Sequence, residues 1–262
     1  MADAPRLYER ADSPDLAPIW SVQDGRALFA GPLGHNRLHS HSTAVLLTGL
    51  YDSFPLSIGH RPFVTVRSAV IPAGVAYEFD MAGAPLSVFY LDPVEGGAET
   101  LAPLMDETEE IGGALIGRHC EIGIMREIYE AASAMSWADT ALADLTRFGE
   151  SRNGNSIDPR FRRAVETIAT TQGAQIPVDA LAKAAGLSPS RFQHLFTRHV
   201  GVPYRRYRTW QRLRIAIAEI VKGSSFTMAA HQAGFFDQAH FARAFRKTFG
   251  APASPSLVKL RR

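Results

Sequence analysis

A chain of 262 residues, 46% of them hydrophobic and 21% charged, is long enough to close one large or two ordinary globular cores, and two is the better starting assumption. A single cysteine, Cys120, excludes a disulfide framework within the chain. The net charge of +2 hides a segregation: residues 1–150 hold 9 Lys+Arg against 21 Asp+Glu, a net −12, whereas residues 151–262 hold 19 against 5, a net +14. A block this basic has a phosphate-seeking field, because neutralising phosphates releases condensed counterions. The N-terminal stretch lacks a basic start followed by an apolar run, and no stretch approaches the ~18 apolar residues of a membrane span. The expectation is a soluble, cytoplasmic protein with no membrane partner.

From about Gly25 to Asp92 the chain reads as short β-type runs, ALFAGPL, AVLLTGLY, PLSIG, FVTVRSAVIP and LSVFYLD, punctuated by Gly, Pro, Asn and Asp. That spacing predicts an antiparallel barrel or sandwich able to contain a small molecule. FVTVRSAVI alternates, with Val64, Val66, Ser68 and Val70 on one face and Thr65, Arg67, Ala69 and Ile71 on the other. After Pro93 the pattern turns helical. From Glu121 to Phe148, Ile124, Ile128, Ala131, Ala134, Trp137, Ala141, Leu142, Leu145 and Phe148 recur at spacings of three and four. Two helices broken near Ser136 are expected there, packed on the barrel or on a second copy of the chain.

SRNGNSIDPR is the best linker and places a boundary near Gly154. Beyond it the chain reads as almost all helix. Asp158 caps a first helix running from Pro159 to about Thr171, and a second spans Pro177 to Ala185. Ser188-Pro189-Ser190 opens a third that ends before Gly201, and a long fourth runs from Pro203 to about Val221. Phe226–Ala233 and Asp237–Phe249 are the fifth and sixth. The predicted organisation is residues 1–97 as a β-barrel, 98–153 as a helical dimerisation and linker region, and 154–262 as an all-α domain, an α+β two-domain chain.

The all-α part contains a repeat. GLSPSRFQHLFTRHVG, from Gly186, matches GFFDQAHFARAFRKTFG, from Gly234: Phe192 aligns with Phe241, Phe196 with Phe245 and Gly201 with Gly250, each 49 residues apart, and the second copy has one extra residue in its turn. Each is preceded by a short Ala-rich helix, VDALAKAAG or FTMAAHQAG, giving a helix-turn-helix arrangement twice over. On the helical wheel Phe192, Leu195, Phe196 and His199 share one face and Ser190, Gln193, His194 and Thr197 another. In the second copy Phe241, Phe245 and Phe249 face inward, while Gln238, Ala239, His240, Ala242, Arg243 and Arg246 face outward. The phenylalanines therefore read as core rather than as a stacking platform. The polar rows suit base reading, since Gln and Arg pair with adenine and guanine edges and an Ala methyl meets a thymine methyl. Arg198, Arg205, Arg206, Arg208, Arg212, Arg214, Arg246 and Lys247 are candidates for holding phosphate.

Residues 158–257 resemble the DNA-binding domain of AraC/XylS-type transcription regulators, whose second unit ends in the pattern GF-x-D-x-x-HF-x-R-x-F-(R/K)-x-x-FG. Two departures stand out: Ala229 occupies a position usually held by Ile, and APASPSLVKL lacks an aromatic after the final Pro. The resemblance implies double-stranded DNA as partner, with base contacts from Ser190, Gln193 and His194 in one unit and Gln238, His240 and Arg243 in the other. It also implies an N-terminal cupin-like barrel that binds a small-molecule effector, with RNA polymerase as a further partner and activator or repressor action left open, while a homodimer is the expectation from the apolar stripe at 121–148.

In that barrel GHNRLHSHS places His39 and His41 on alternate residues, joined by His35. A metal cupin uses His-x-His, a following Glu and a later His. Here no Glu follows and Tyr77 stands where the later His would be, so neither a metal nor another cofactor is expected. Arg37, His39, His41 and Tyr77 are instead the candidate effector contacts, suited to an anionic or hydroxylated compound. The competing reading is a metal-dependent cupin enzyme anchored by a basic DNA-binding domain.

Overall fold

The computed structural model describes residues 16–23, 25–119, 122–131, 135–152, 176–258 and 260. The N-terminal half forms two antiparallel sheets. Strands β1 (Ile19–Gln23), β2 (Arg26–Pro32), β4 (Ala44–Gly49), β7 (Ser68–Ile71), β9 (Pro85–Leu91), β10 (Met105–Ile111) and β11 (Ala114–His119) make a seven-stranded sheet in the order β1-β2-β9-β4-β7-β11-β10. The smaller sheet orders β3 (His35–His39), β8 (Tyr77–Asp80), β5 (Phe54–Ile58) and β6 (Val64–Val66) as β3-β8-β5-β6. Their facing sides share one core: Val45, Leu47, Ala69, Val88 and Tyr90 from the large sheet meet Leu56, Ile58, Tyr77 and Phe79 from the small one. The expected barrel is therefore an open, two-sheet form.

The outer side of the large sheet is also covered. Leu28, Ala30, Leu46, Val70 and Phe89 pack with Met125, Ile128 and Tyr129 of α2 (Ile122–Glu130) and with Ala138, Leu142 and Leu145 of α3 (Met135–Arg152). Burial on both faces explains why β4 reads as an unbroken apolar run rather than an alternating one. The apolar stripe on which a dimer contact was expected thus lies against the protein's own sheet, and Phe148, at its end, is 47% exposed. The break between these helices falls between Glu130 and Met135, slightly earlier than Ser136.

Two local expectations fail. FVTVRSAVI is not one strand: it breaks at Arg67, whose guanidinium donates to the carbonyls of Tyr51 (2.5 Å) and Leu50 (3.1 Å), and β6 and β7 belong to different sheets. The break shifts the phase, so Val66, Ala69 and Ile71 enter the inner core while Val70 faces the helices. Residues 98–119 are not mainly helical. After the short α1 (Ala98–Leu101), β10 and β11 form a hairpin that pairs Ile111 with Ala114 across Gly112-Gly113. Both glycines have positive φ, 60° and 84°, as a two-residue hairpin turn requires.

The C-terminal half is helical: α4 (Val178–Ala184), α5 (Pro189–Val200), α6 (Tyr204–Val221), α7 (Phe226–Gln232), α8 (Gln238–Phe249) and α9 (Ser254–Leu257). The helix expected at 158–171 and the boundary near Gly154 lie outside the described residues. The inner core of the sheets continues without a break into these helices through Trp20, Tyr90, Trp210 and Phe249. No helix among the described residues is long and apolar enough to cross a membrane.

Candidate nucleic-acid interface

The two repeated helices are built alike. Ser188 Oγ accepts from the Arg191 amide at 3.3 Å and Asp237 Oδ1 from the His240 amide at 2.6 Å, each satisfying one of the free N–H groups that open a helix. Both end on a left-handed glycine, Gly201 at φ 82° and Gly250 at φ 70°. Their inner faces are aromatic. Phe196 lies 5.2 Å from Tyr204 and 5.4 Å from Tyr207, and Phe245 stacks on Phe249 at 4.2 Å. Phe192, Phe196, Phe241, Phe245 and Phe249 are all buried.

The outer rows face water. Ser190, Gln193 and His194 of α5 and Gln238, His240 and Arg243 of α8 are exposed, as are Arg198, Arg205, Arg246 and Lys247. His199, expected on the inner face, is exposed as well. Two of these side chains are held by hydrogen bonds: Gln238 Oε1 accepts from Thr227 Oγ1 at 3.1 Å, and His240 Nδ1 accepts from the Phe236 amide at 3.4 Å. With Gln238 Oε1 held, its amide NH₂ is left to donate outward.

The opposite side of α6 is seated on the β domain. Arg206 donates to Ser40 Oγ at 2.5 Å and to the Ser40 carbonyl. Its guanidinium is thus engaged by the β domain in this structure. Asp92, just beyond β9, accepts from Tyr207 Oη at 2.7 Å and Gln211 Nε2 at 2.7 Å, and pairs with Arg214 at 3.3 Å. Arg214, another arginine of α6, also donates to the Gln23 carbonyl.

Both repeated helices, α5 and α8, end on this seat. The Gly250 carbonyl accepts from the Arg37 amide at 3.2 Å and the Phe249 carbonyl from Asn36 Nδ2 at 2.8 Å. A Cβ at Gly250 would fall 2.6 Å from His39 Nδ1, and one at Gly201 would fall 2.6 Å from the Ala73 carbonyl oxygen. Trp20 Nε1 adds a bond to the Ser256 carbonyl at 3.1 Å.

Three of the four expected effector contacts meet beneath this seat. The His39 ring lies 4.4 Å from Tyr77 and 5.1 Å from His41, and His41 lies 5.2 Å from both Tyr90 and Phe249. Burial lowers the His39 pKa to about 4, opposed by the hydrogen bond to the Arg37 carbonyl. Burial, with His39 and Arg206 nearby, holds His41 well below its ordinary value, and burial raises Tyr77 well above its own. The imidazoles are therefore neutral near pH 7. His41 Nδ1, Tyr77 Oη and Trp210 Nε1 are buried without hydrogen-bond partners. Arg37 does not join them: its side chain is exposed and only its backbone takes part. His35 instead bonds to Glu78 at 2.6 Å on the outside. Trp210 and Phe249, which complete the aromatic wall, come from the helical half, and no local pattern ties them to a GHNRLHSHS motif about 170 and 210 residues away.

Among the described residues no three His, Cys, Asp or Glu side chains converge as a metal site would need. Residues 181–256 match the family described as a helix-turn-helix domain. Among solved structures, ToxT of Vibrio cholerae has both halves in the same order. The wild-type protein of strain SCE256 bound to an unsaturated fatty acid aligns at 13% identity and a TM-score of 0.57, over 92% of this chain and 97% of that one. ToxT of strain O395 bound to (E)-4-(8-methylnaphthalen-1-yl)but-3-enoic acid aligns at 10% identity and a TM-score of 0.58, over 90% and 99%. Identities this low show a shared fold. The C-terminal part of the chain is accordingly a DNA-binding helix-turn-helix domain of the AraC/XylS type, carried behind an N-terminal β domain in the two-domain fold that ToxT displays.

Proposed function

We propose that the protein is a sequence-specific transcription regulator that binds double-stranded DNA and is controlled by a small-molecule effector, not an enzyme. The observation that carries this reading is the seating of both reading helices, through their C-terminal glycines, on the β domain, with Gly201 beside Ala73 and Gly250 beside His39 of the His39, His41 and Tyr77 cluster. Ser190, Gln193 and His194 read one major-groove segment and Gln238, His240 and Arg243 the next, while Arg198, Arg205, Arg246 and Lys247 hold phosphate. Arg206 acts in the seat.

The effector site is a neutral, aromatic-walled one. A mainly apolar compound carrying a hydroxyl or carbonyl group would satisfy Tyr77 Oη, His41 Nδ1 and Trp210 Nε1, atoms otherwise buried unpaired. The ligands recorded for ToxT, a fatty acid and a naphthalenyl butenoic acid, are likewise largely apolar. Because those atoms belong to both halves of the chain, occupancy alters how the reading helices are held. The test is selection of a binding site from randomised duplexes followed by competition. One site spanning about two turns of the major groove should be recovered and should resist random competitor DNA. Equal competition by random DNA would reduce the protein to a sequence-blind binder.

A further inference from the structure

Phe236 is 84% exposed, more than any other large hydrophobic side chain among the described residues. Its place in the repeat shows that the core does not require it. In the first unit Gly186 is followed by Leu187, which packs on the core, and then by the cap residue Ser188. In the second, Gly234 is followed by Phe235, buried at 5.7 Å from Phe241, and the cap is Asp237. From each cap the first core aromatic, Phe192 or Phe241, is four residues on. Phe235 thus fills the role of Leu187, and Phe236 is the one residue inserted between it and the cap. A residue just before a cap ordinarily folds back onto the residue four beyond it. Here Phe235, 5.7 Å from Phe241 and 5.3 Å from the His240 ring, already packs at that position, and Phe236 is turned out.

What lies beside it is the reading row. The Phe236 amide donates to His240 Nδ1, and the next residues but one and four along are Gln238 and His240. Arg243, Arg246 and Lys247 are exposed farther along the same helix. A flat apolar ring at the entering end of a basic helix meets one apolar feature in a major groove, the C5-methyl of thymine. We propose that Phe236 is a specificity-determining contact that reads a thymine methyl at the edge of the site bound by α8. This rests on the DNA-reading function above and adds a residue and a base to it.

The experiment uses the full chain and the duplex that the wild-type protein selects from a randomised library of about 30 base pairs, enough for two adjacent groove segments. Each thymine of that duplex is replaced in turn by deoxyuridine, which deletes only the methyl group. For the wild type, one replacement within the half-site of the second unit should weaken binding about three- to tenfold. Phe236→Ala should bind the unmodified duplex more weakly by a similar factor and be indifferent to that replacement. Phe236→Ala with unchanged affinity and unchanged uracil sensitivity overturns the proposal while leaving the DNA-binding reading intact. An equal loss on every duplex, with uracil sensitivity retained, makes Phe236 a sugar-phosphate contact and overturns it too. If no preferred duplex is recovered at all, both readings fall together.

Discussion

Asp92 and Arg214 pair across the two halves of the protein at 3.3 Å, with side chains only 2% and 11% exposed. Tyr207 Oη and Gln211 Nε2 also donate to that carboxylate. A buried ion pair adds modestly to stability while intact, but removing one partner leaves the other charge stranded in a dry site. Asp92→Ala should therefore cost about 3–5 kcal/mol in denaturant unfolding and expose the junction of the halves to protease. An unchanged unfolding midpoint would show that the pair does not hold the seat.

Two glycines that follow helices of the repeat, Gly186 after α4 and Gly250 after α8, offer a matched comparison. Gly186 and Gly250 both lie in the left-handed region, at φ 65° and 70°. A Cβ on Gly186 meets nothing within 4 Å, whereas one on Gly250 runs into the Arg37 carbonyl and His39 Nδ1. Gly186→Ala should cost only the backbone strain, about 1–2 kcal/mol. Gly250→Ala should cost more and also lift the end of α8 from β3, read as faster hydrogen exchange at Asn36 and Arg37. Equal effects at the two positions would remove the steric argument.

These contrasts show which parts of the molecule can be read locally. The reading helices are legible because each signal lies within a few residues: the cap at Ser188 or Asp237, the Phe spacing, the closing glycine. Arg206 and Arg214 are not, because a basic helix in sequence shows no difference between an arginine aimed at solvent and one aimed at Ser40, 166 residues away. The Gly112-Gly113 dipeptide is itself a hairpin signal, yet residues 98–153 were expected to be helical. The hairpin's first strand, MDETEEI, is an exposed edge with almost no apolar alternation, so the β pattern around the turn is weak. At Arg67 the alternation was real in sequence, and a side chain bonded to two backbone carbonyls interrupted it.

The seat should also respond to acid. With its pKa lowered from 6.5 to about 4, His39 is neutral in the seated state, and it would recover an ordinary value if α8 and α6 moved away. The seated state then binds fewer protons, so its stability is full above about pH 6.5 and is lost as pH falls toward 4. The groups facing it are Arg206 of α6, which disfavours the proton, Glu78 of β8, which favours it, and the neighbouring His41 and Tyr77. Protease susceptibility of the junction should rise as pH falls from about 7.5 to about 5.5, and His39→Gln should reduce the change, leaving the part carried by His41. A flat wild-type profile would mean that the seat opens without wetting this ring.

Among the arginines and lysines of the helical half, salt dependence and base preference separate three roles. Lys247, exposed beyond the outer row of α8, is proposed as a phosphate contact: Lys247→Ala should weaken binding to every duplex alike and lower the slope of log affinity against log salt by about 1. Arg243, exposed within the row, should on conversion to Ala lose about 1–3 kcal/mol of discrimination at one or two positions while binding to random DNA changes little. Arg206, bonded to Ser40, contributes to neither readout directly. Arg206→Ala should leave the salt slope and the preferred bases as they are and loosen the seat instead, a change seen in the protease assay. A reduced salt slope in that variant would return Arg206 to the phosphate-binding set and show that the seat opens when DNA is bound.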